Sequence, residues 1–68
     1  MYKIIKFKNS NVSINVNNID YFTYIDNAII FYLSNNRLHF NVEKSAKQLY
    51  NKIEEFILDP NSNLMQIE

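Results

Sequence analysis

The chain has 68 residues, of which 47% are hydrophobic and ten are Tyr or Phe, and this size predicts one small domain with a single apolar core. Cysteine and glycine are absent and histidine occurs once, which excludes disulfides, thiolate metal sites, a Walker loop and a dinucleotide-binding loop. Seven basic and seven acidic side chains cancel to a net charge of zero, so no overall field favours nucleic acid or a membrane surface. The apolar runs are too short for a signal peptide or a membrane span, and we expect a cytoplasmic protein with no membrane contact.

Asparagine supplies the turns of the predicted sheet, because it occurs twelve times and tolerates the left-handed backbone region that glycine usually occupies. Its clusters separate five short runs rich in Ile, Val, Tyr and Phe, a composition typical of β-strands. The clusters lie at residues 9–11, 15–18, 26–27 and 35–36. Connections this short require antiparallel neighbours. The predicted strands are residues 2–7, 11–15, 19–25, 28–34 and 37–42.

A helix follows the predicted strands, because apolar residues recur at intervals of three and four, the spacing of one helical face. These residues are Ala46, Leu49, Tyr50, Ile53, Phe56 and Ile57. Ser45 and Gln48 have the spacing of a capping box, and Pro60 ends the helix because it disfavours helical geometry at the residue before it. We therefore divide the chain into one β-meander and helix domain, residues 1–60, and a C-terminal tail, residues 61–68, which either docks or stays mobile.

The fold class that this order predicts is α+β, with an antiparallel meander sheet of four to five strands and one C-terminal helix packed on one face. Two-residue turns at 26–27 and 35–36 would place Tyr24 opposite Ile29 and Leu33 opposite Leu38. The helix-side face then carries Phe22, Tyr24, Ile29, Phe31, Leu33, Leu38, Phe40 and Val42. The opposite face carries Tyr21, Thr23, Ile25, Ala28, Ile30, Tyr32, Arg37, His39 and Asn41.

The connection at residues 15–18 leaves two alternatives for the early strands. A two-residue turn at 17–18 would put Val12 and Ile14 on the opposite face. A longer loop would free the register and let these two side chains join Ile5 and Phe7 in the helix-side core. We favour the longer loop.

The order of elements resembles that of FlbD-like small flagellar proteins over roughly residues 4–58. The similarity lies in a strand that opens with Ile19-Asp20-Tyr21-Phe22, a short hairpin, and a helix entered through Val42-Glu43-Lys44-Ser45. Asn11 and Asn35-Asn36 stand where that family has glycine-bearing turns. Residues 12–53 are also similar to the first half of a LytTR DNA-binding domain, whose second half carries most of the DNA recognition. Neither resemblance therefore implies a specific activity or site.

No arrangement of residues in the sequence predicts catalysis. His39 is the one candidate general base, but the predicted register places it opposite Tyr32, and no carboxylate has a spacing that would orient its ring. Glu54 and Glu55 are adjacent on the helix, so they point in different directions. We therefore expect a protein that is not an enzyme and that needs no cofactor and no metal.

The opposite sheet face favours protein binding, because one helix can cover only one face of the predicted sheet. The residues expected to bind a partner are Tyr21, Thr23, Ile30, Tyr32, Arg37 and His39. Tyrosine and arginine are enriched at interface centres, and a homodimer would bury the same patch twice. The asparagine bias indicates an AT-rich genome, so we expect a bacterial or phage-encoded accessory protein, for example an inhibitor of a host defence complex.

Nucleic-acid binding is the alternative function. Tyr21 and Tyr32 would stack on bases, while a second group of residues would contact phosphates. This second group is Lys3, Lys6, Lys8 and Arg37. The same lysines have an ordinary role in blocking an exposed strand edge, and the chain after Glu54 is acidic, so we place this function second.

Overall fold

The computed structural model describes residues 3–67 as an α+β fold with two three-stranded sheets and one α-helix. The first sheet has the order β2–β1–β6 and the second has the order β3–β4–β5. A 3-10 turn, Val16–Asn18, joins the two sheets. The elements are β1 (Ile4–Phe7), β2 (Val12–Asn15), β3 (Ile19–Ile25), β4 (Ala28–Leu33), β5 (Asn36–Asn41), α1 (Ala46–Leu58) and β6 (Leu64–Ile67).

The α+β class and the single helix of the described residues agree with the sequence prediction, but the predicted meander sheet of four to five strands is matched only in part, because the strands divide into two sheets. The chain leaves the first sheet at the 3-10 turn, where the Asn15 side chain accepts a hydrogen bond of 2.9 Å from the Asn17 amide. Strands β2 and β3 therefore do not pair, and β1 instead pairs on its other side with β6 in parallel. The sequence predicted no strand after the helix, and the predicted start of the first strand at residue 2 lies outside the described residues.

The β3–β4–β5 sheet is the antiparallel meander that the asparagine clusters predicted. Asp26 and Asn27 form the first turn, and Asp26 has a φ of 52°, in the left-handed region. The second turn lies at Ser34–Asn35, one residue earlier than predicted, so Phe31 pairs with Leu38 and Ile30 with His39. The predicted pairs of Leu33 with Leu38 and of Tyr32 with His39 are therefore wrong. The register moves by two residues, so every side chain keeps its predicted face.

One core lies between the two sheets and the helix. It contains the inward side chains of both sheets and one face of α1: Ile5, Phe7, Ile14, Ile29, Phe31, Phe40, Ala46, Ile53, Phe56 and Ile67. Phe7 joins the sheets, because its ring stacks on Phe40 at 3.9 Å and meets the edge of Phe31 at 5.8 Å. Ile14 is buried and Val12 packs against the core, which confirms the longer connection at residues 15–18.

The helix begins and ends where the sequence predicted. The Ser45 hydroxyl caps its start by accepting a hydrogen bond of 3.3 Å from the Gln48 amide. At its end the Lys3 ammonium donates to three backbone carbonyls, those of Phe56 and Ser62 at 2.7 Å each and that of Asp59. These carbonyls belong to the last turn of α1 and to the connection that leads to β6. Within residues 3–67 no helix is long and apolar enough to cross a membrane.

Candidate functional site

The outer face of the β3–β4–β5 sheet, which points away from the core, carries all six residues of the predicted partner site. Because antiparallel register places cross-strand partners side by side, these residues form two neighbouring rows. The first row is Tyr21–Tyr32–Arg37 and the second is Thr23–Ile30–His39. We call this surface the outer face and add to it a third row, Ile25–Ala28–Asn41.

The first row is an aromatic platform beside a cation. The rings of Tyr21 and Tyr32 stack with centroids 4.3 Å apart and planes tilted by 15°. Tyr21 is 60% exposed because β3 is an edge strand of its sheet, and Arg37 is exposed on β5. In residues 3–67 the Arg37 guanidinium has no hydrogen-bond or ion-pair partner. A planar ligand group or another protein's carboxylate can therefore approach both the ring and the cation.

The outer face is not uniformly open. Ile30 and Ala28 lie on the central strand and keep only 8% and 7% of their surfaces exposed. The side chains of the two edge strands therefore cover the middle of the face, and the outer face needs less covering than the sequence predicted. Its exposed apolar area lies at the two ends of β3, at Tyr21 and at Ile25, which is 56% exposed.

The third row forms a shallow depression that the predicted site did not include. Ile25, Ala28 and Asn41 line it together with Ile30, His39 and the turn at Asp26–Asn27. Its volume is about 340 Å³, in the lower part of the range of small-ligand pockets. The signal for it was present in the sequence, since Ile25 is a large apolar residue on the same face as Ile30. The candidate surface therefore extends to the β3–β4 turn.

His39 is exposed and lies opposite Ile30 in the second row. In the described part of the chain its side chain has no hydrogen-bond or ion-pair partner that would orient a general base. Residues 3–67 also hold no group of three or more His, Asp or Glu side chains that is arranged for a metal ion. The geometry around His39 offers a polar contact at the rim of the depression.

The cations of the alternative nucleic-acid site do not share one surface. Lys3 is at the end of α1, where its ammonium donates to three carbonyls and lies 4.9 Å from the centroid of the Phe56 ring. Lys6 is exposed on β1, between Ser13 on β2 and Gln66 on β6, and Lys8 is exposed in the turn after β1. Arg37 belongs to the other sheet. Only Arg37 adjoins the tyrosine platform.

Comparisons of this chain with protein-family models, with curated proteins and with solved structures found no match. The resemblances to FlbD-like proteins and to LytTR domains remain predictions from the order of the elements.

Proposed function

We propose that this chain is a non-catalytic protein-binding module that acts through the outer face, and that a second copy of the chain is its first partner. In the setting that we propose, it is a cytoplasmic accessory protein of a bacterium or a phage, such as an inhibitor of a host complex. The observation that carries the proposal is the stack of the exposed Tyr21 on the half-buried Tyr32, with the unpaired Arg37 beside it. Such groups are the usual centres of protein interfaces.

The size of the outer face limits how tightly two copies associate. Three strands about 4.8 Å apart, with about six residues of about 3.4 Å each, give a flat area of roughly 300 Å². Stable interfaces bury about 800 Å² on each partner, so this face alone supports a dimer that dissociates on dilution. Two copies related by a two-fold axis would set each tyrosine platform against its counterpart.

Light scattering over a wide range of protein concentration tests self-association. We expect the average mass to rise from that of the 8.2 kDa monomer towards twice that value as the concentration increases. A mass that stays at the monomer value throughout would overturn self-association, and the outer face would then belong to a different protein.

Two substitutions test whether the outer face is the binding surface. Tyr32→Ala removes half of the stack, and Arg37→Glu reverses the charge beside it, so each should abolish association. Both side chains lie outside the core, so the far-ultraviolet circular dichroism should not change. Leu58→Ala is the matched control, because Leu58 is 81% exposed on the helix and lies outside the outer face. Equal loss of association in this control would count against the outer face.

Nucleic-acid binding is the second candidate, and it now depends on the tyrosine platform and Arg37. A labelled single-stranded oligonucleotide titrated at low salt tests it, and the affinity should fall only weakly as salt increases, because Arg37 is the one cation beside the platform in the described residues. Arg37→Glu should remove this binding, whereas Lys3→Met should leave the affinity unchanged wherever the variant stays folded. No binding at low salt would eliminate this candidate.

A further inference from the structure

A groove on the opposite side of the molecule from the β3 edge separates β5 of one sheet from β6 of the other. It has a volume of about 870 Å³ and is also bordered by the first turns of α1 and by the turn after β1. It differs from the outer face, because neither the tyrosine platform nor Arg37 lines it. The two surfaces meet only at the rim formed by His39 and Asn41.

Both strands that border the groove present unpaired backbone groups towards it. In the β4–β5 ladder the Val42 amide donates a hydrogen bond of 2.7 Å to the Asn27 carbonyl. Hydrogen-bonded and non-hydrogen-bonded residue pairs alternate along an antiparallel ladder, so this bond determines which residues of β5 bond to β4. The backbone groups of His39 and Asn41 therefore point away from β4. In the parallel β1–β6 ladder the Ile4 amide donates to the Asn63 carbonyl and the Lys8 amide donates to the Ile67 carbonyl. The alternate residue of β6, Gln66, therefore points its backbone groups away from β1.

The floor of the groove is apolar. Phe7 and Phe40, which stack on each other, lie at its base together with Leu49 of the helix and Met65 of β6. Leu49 and Met65 are half-buried, so part of their surface remains accessible. A strand laid along the groove would point every second side chain onto this floor.

The charge at one end of the groove is basic. Lys44 and Lys52 line it and both are exposed, while Glu43 is the one acidic residue among its described lining residues. An occupant that carries a carboxylate near the start of α1 is therefore complementary to the groove.

We propose that this groove is a second binding site, which takes an extended acidic segment of a partner protein as an added β-strand. The backbone of the segment pairs with β5 at His39 and Asn41, and its carboxylate meets Lys44 and Lys52. Its alternate apolar side chains cover Leu49 and Met65, which are accessible above the buried rings of Phe7 and Phe40. Strand addition of this kind combines main-chain hydrogen bonds with pockets for alternate side chains. The inference does not depend on the function proposed for the outer face.

The experiment is selection from a library of random twelve-residue peptides displayed on filamentous phage, with the immobilised full chain as bait. We expect the recovered peptides to alternate apolar and polar residues and to contain at least one Asp or Glu. Failure to enrich any such peptide over bait-free beads would overturn the proposal. One recovered peptide is then synthesised and its Kd for the chain is measured by fluorescence anisotropy.

Backbone pairing is tested on both sides of the contact. Asn41→Pro removes an amide of β5 that points into the groove, and it should raise the Kd of the synthetic peptide by about tenfold or more. Asn41→Ala keeps that amide and should leave the Kd almost unchanged. Two further peptides carry N-methyl groups on the odd or on the even amides, and at least one of them should lose binding. Unchanged binding of both methylated peptides would overturn backbone pairing between the peptide and β5. This measurement uses the unsubstituted chain, so it remains decisive even if Asn41→Pro does not fold.

The charge requirement has a matched pair on the helix. Lys52→Glu reverses a charge that lines the groove, while Lys47→Glu reverses an exposed charge of α1 outside it. We expect about a tenfold loss of affinity in the first and a change within about twofold in the second. Equal effects of the two substitutions on the peptide affinity would overturn the requirement for an acidic segment. Tyr32→Ala should not change the peptide Kd, because Tyr32 does not line the groove. The proposal for the groove and the proposal for the outer face can therefore be rejected separately.

Discussion

Lys3 connects the beginning of the chain to the end of the helix. Helix C-termini leave carbonyls without helical partners, and a cation placed there satisfies them and opposes the negative end of the helix dipole. Lys3 does this for Phe56 and for two residues of the following connection, Asp59 and Ser62. Its ammonium also faces the Phe56 ring, which adds a cation–π contact. One side chain therefore fixes how α1, the last connection and β1 meet.

Lys3→Met should reduce the free energy of unfolding by about 2 kcal/mol, because hydrogen bonds to charged groups contribute more than neutral ones. The Ser62 carbonyl would lose its Lys3 donor, and the Phe56 and Asp59 carbonyls would keep only the amides of Asp59 and Ser62, at 3.2 and 3.4 Å. Methionine keeps an unbranched apolar stem, so the lost free energy of unfolding measures the contribution of the Lys3 ammonium group. Lys6→Met, on the strand that follows Lys3, is the matched control, because Lys6 is exposed, and we expect a change within about 0.5 kcal/mol. Urea unfolding followed by circular dichroism measures both. Equal losses would contradict the role of Lys3.

Asp59 makes the connection after the helix sensitive to acid. Its carboxylate accepts hydrogen bonds of 2.9 Å from the Asn61 amide and from the Ser62 hydroxyl. The Asn61 bond and then the Ser62 bond lower the pKa of Asp59 below its ordinary value of 3.8. Burial opposes them with a smaller effect, and the Lys3 charge makes the smallest contribution to the lowering. The stabilisation from Asp59 is therefore complete above pH 3.8 and is lost as the pH falls through the lowered pKa.

Asp59→Asn tests the direction of this pH dependence. The variant should be less stable than the parent chain near neutral pH, and the difference in free energy of unfolding should shrink as the pH is lowered past 3.8. Urea unfolding at a series of pH values measures the difference directly. A difference that stays constant down to the acid limit would contradict the lowered pKa.

Residue type predicted the local backbone well and the distant contacts poorly. The cluster at residues 9–11 predicted a turn, and Asn11 has a φ of 56°, which asparagine tolerates without glycine. Lys3 was interpreted as a phosphate contact or an edge-blocking charge. Its actual partners lie 53 to 59 residues away, and no pattern within the first strand indicates them.

At the scale of elements, β6 is the strand that local pattern did not reveal. The strand has only four residues, Leu64–Ile67, and follows a helix-ending proline. Its partner β1 lies about 60 positions earlier in the chain. The apolar residues Met65 and Ile67 turn inward beside Ile5 and Phe7, which explains their alternation with Leu64 and Gln66. Alternation over four residues is too short to distinguish a strand from an ordered tail.

Ile67→Ala tests how much β6 contributes. Ile67 is 8% exposed and belongs to the core, so truncation should cost about 2 to 3 kcal/mol in free energy of unfolding. Leu64→Ala on the same strand is the control, because Leu64 is 54% exposed and should cost less than about 1 kcal/mol. Chemical denaturation compares them. Similar small effects would mean that β6 packs more loosely than its burial indicates.

The β4–β5 hairpin shows why faces are easier to predict than neighbours. A turn placed one residue too late moved every cross-strand pair by two positions, so Tyr32 lies opposite Arg37 and not opposite His39. Because the side-chain period of a strand is also two, the faces did not change. The six predicted site residues could therefore be assigned to one face from the sequence, and the turn at 26–27 also gave the correct pairs between β3 and β4. The β5 member of each row could not be assigned.

At the scale of the whole molecule, two sheets share one core. The sequence predicted which residues turn inward, since hydrophobic periodicity decides that locally. It did not predict that the strands divide into two sheets, because the division depends on the 3-10 turn at Val16–Asn18 and on the distant pairing of β1 with β6. The other sheet shares the core-side face with α1, so it does not cover the outer face.

The shared core should make unfolding cooperative. Phe7 of the first sheet contacts Phe31 and Phe40 of the second, so neither sheet keeps its core without the other. We expect the urea transitions seen by far-ultraviolet circular dichroism and by tyrosine fluorescence to coincide. The experiment is done at low protein concentration, so that self-association does not shift the midpoint. Two separated transitions would mean that the sheets unfold independently.

The parallel pairing of β1 with β6 also determines how the molecule would respond to stretching. If the two ends of the chain are pulled apart, β1 is drawn backwards and β6 forwards along a common axis, because the strands run in the same direction. The hydrogen bonds between them, from Ile4 to Asn63 at 2.9 Å through Lys8 to Ile67 at 2.8 Å, are then loaded together in shear. A hairpin held at its ends would instead open one bond at a time, so this small fold resists tension most strongly along its own termini.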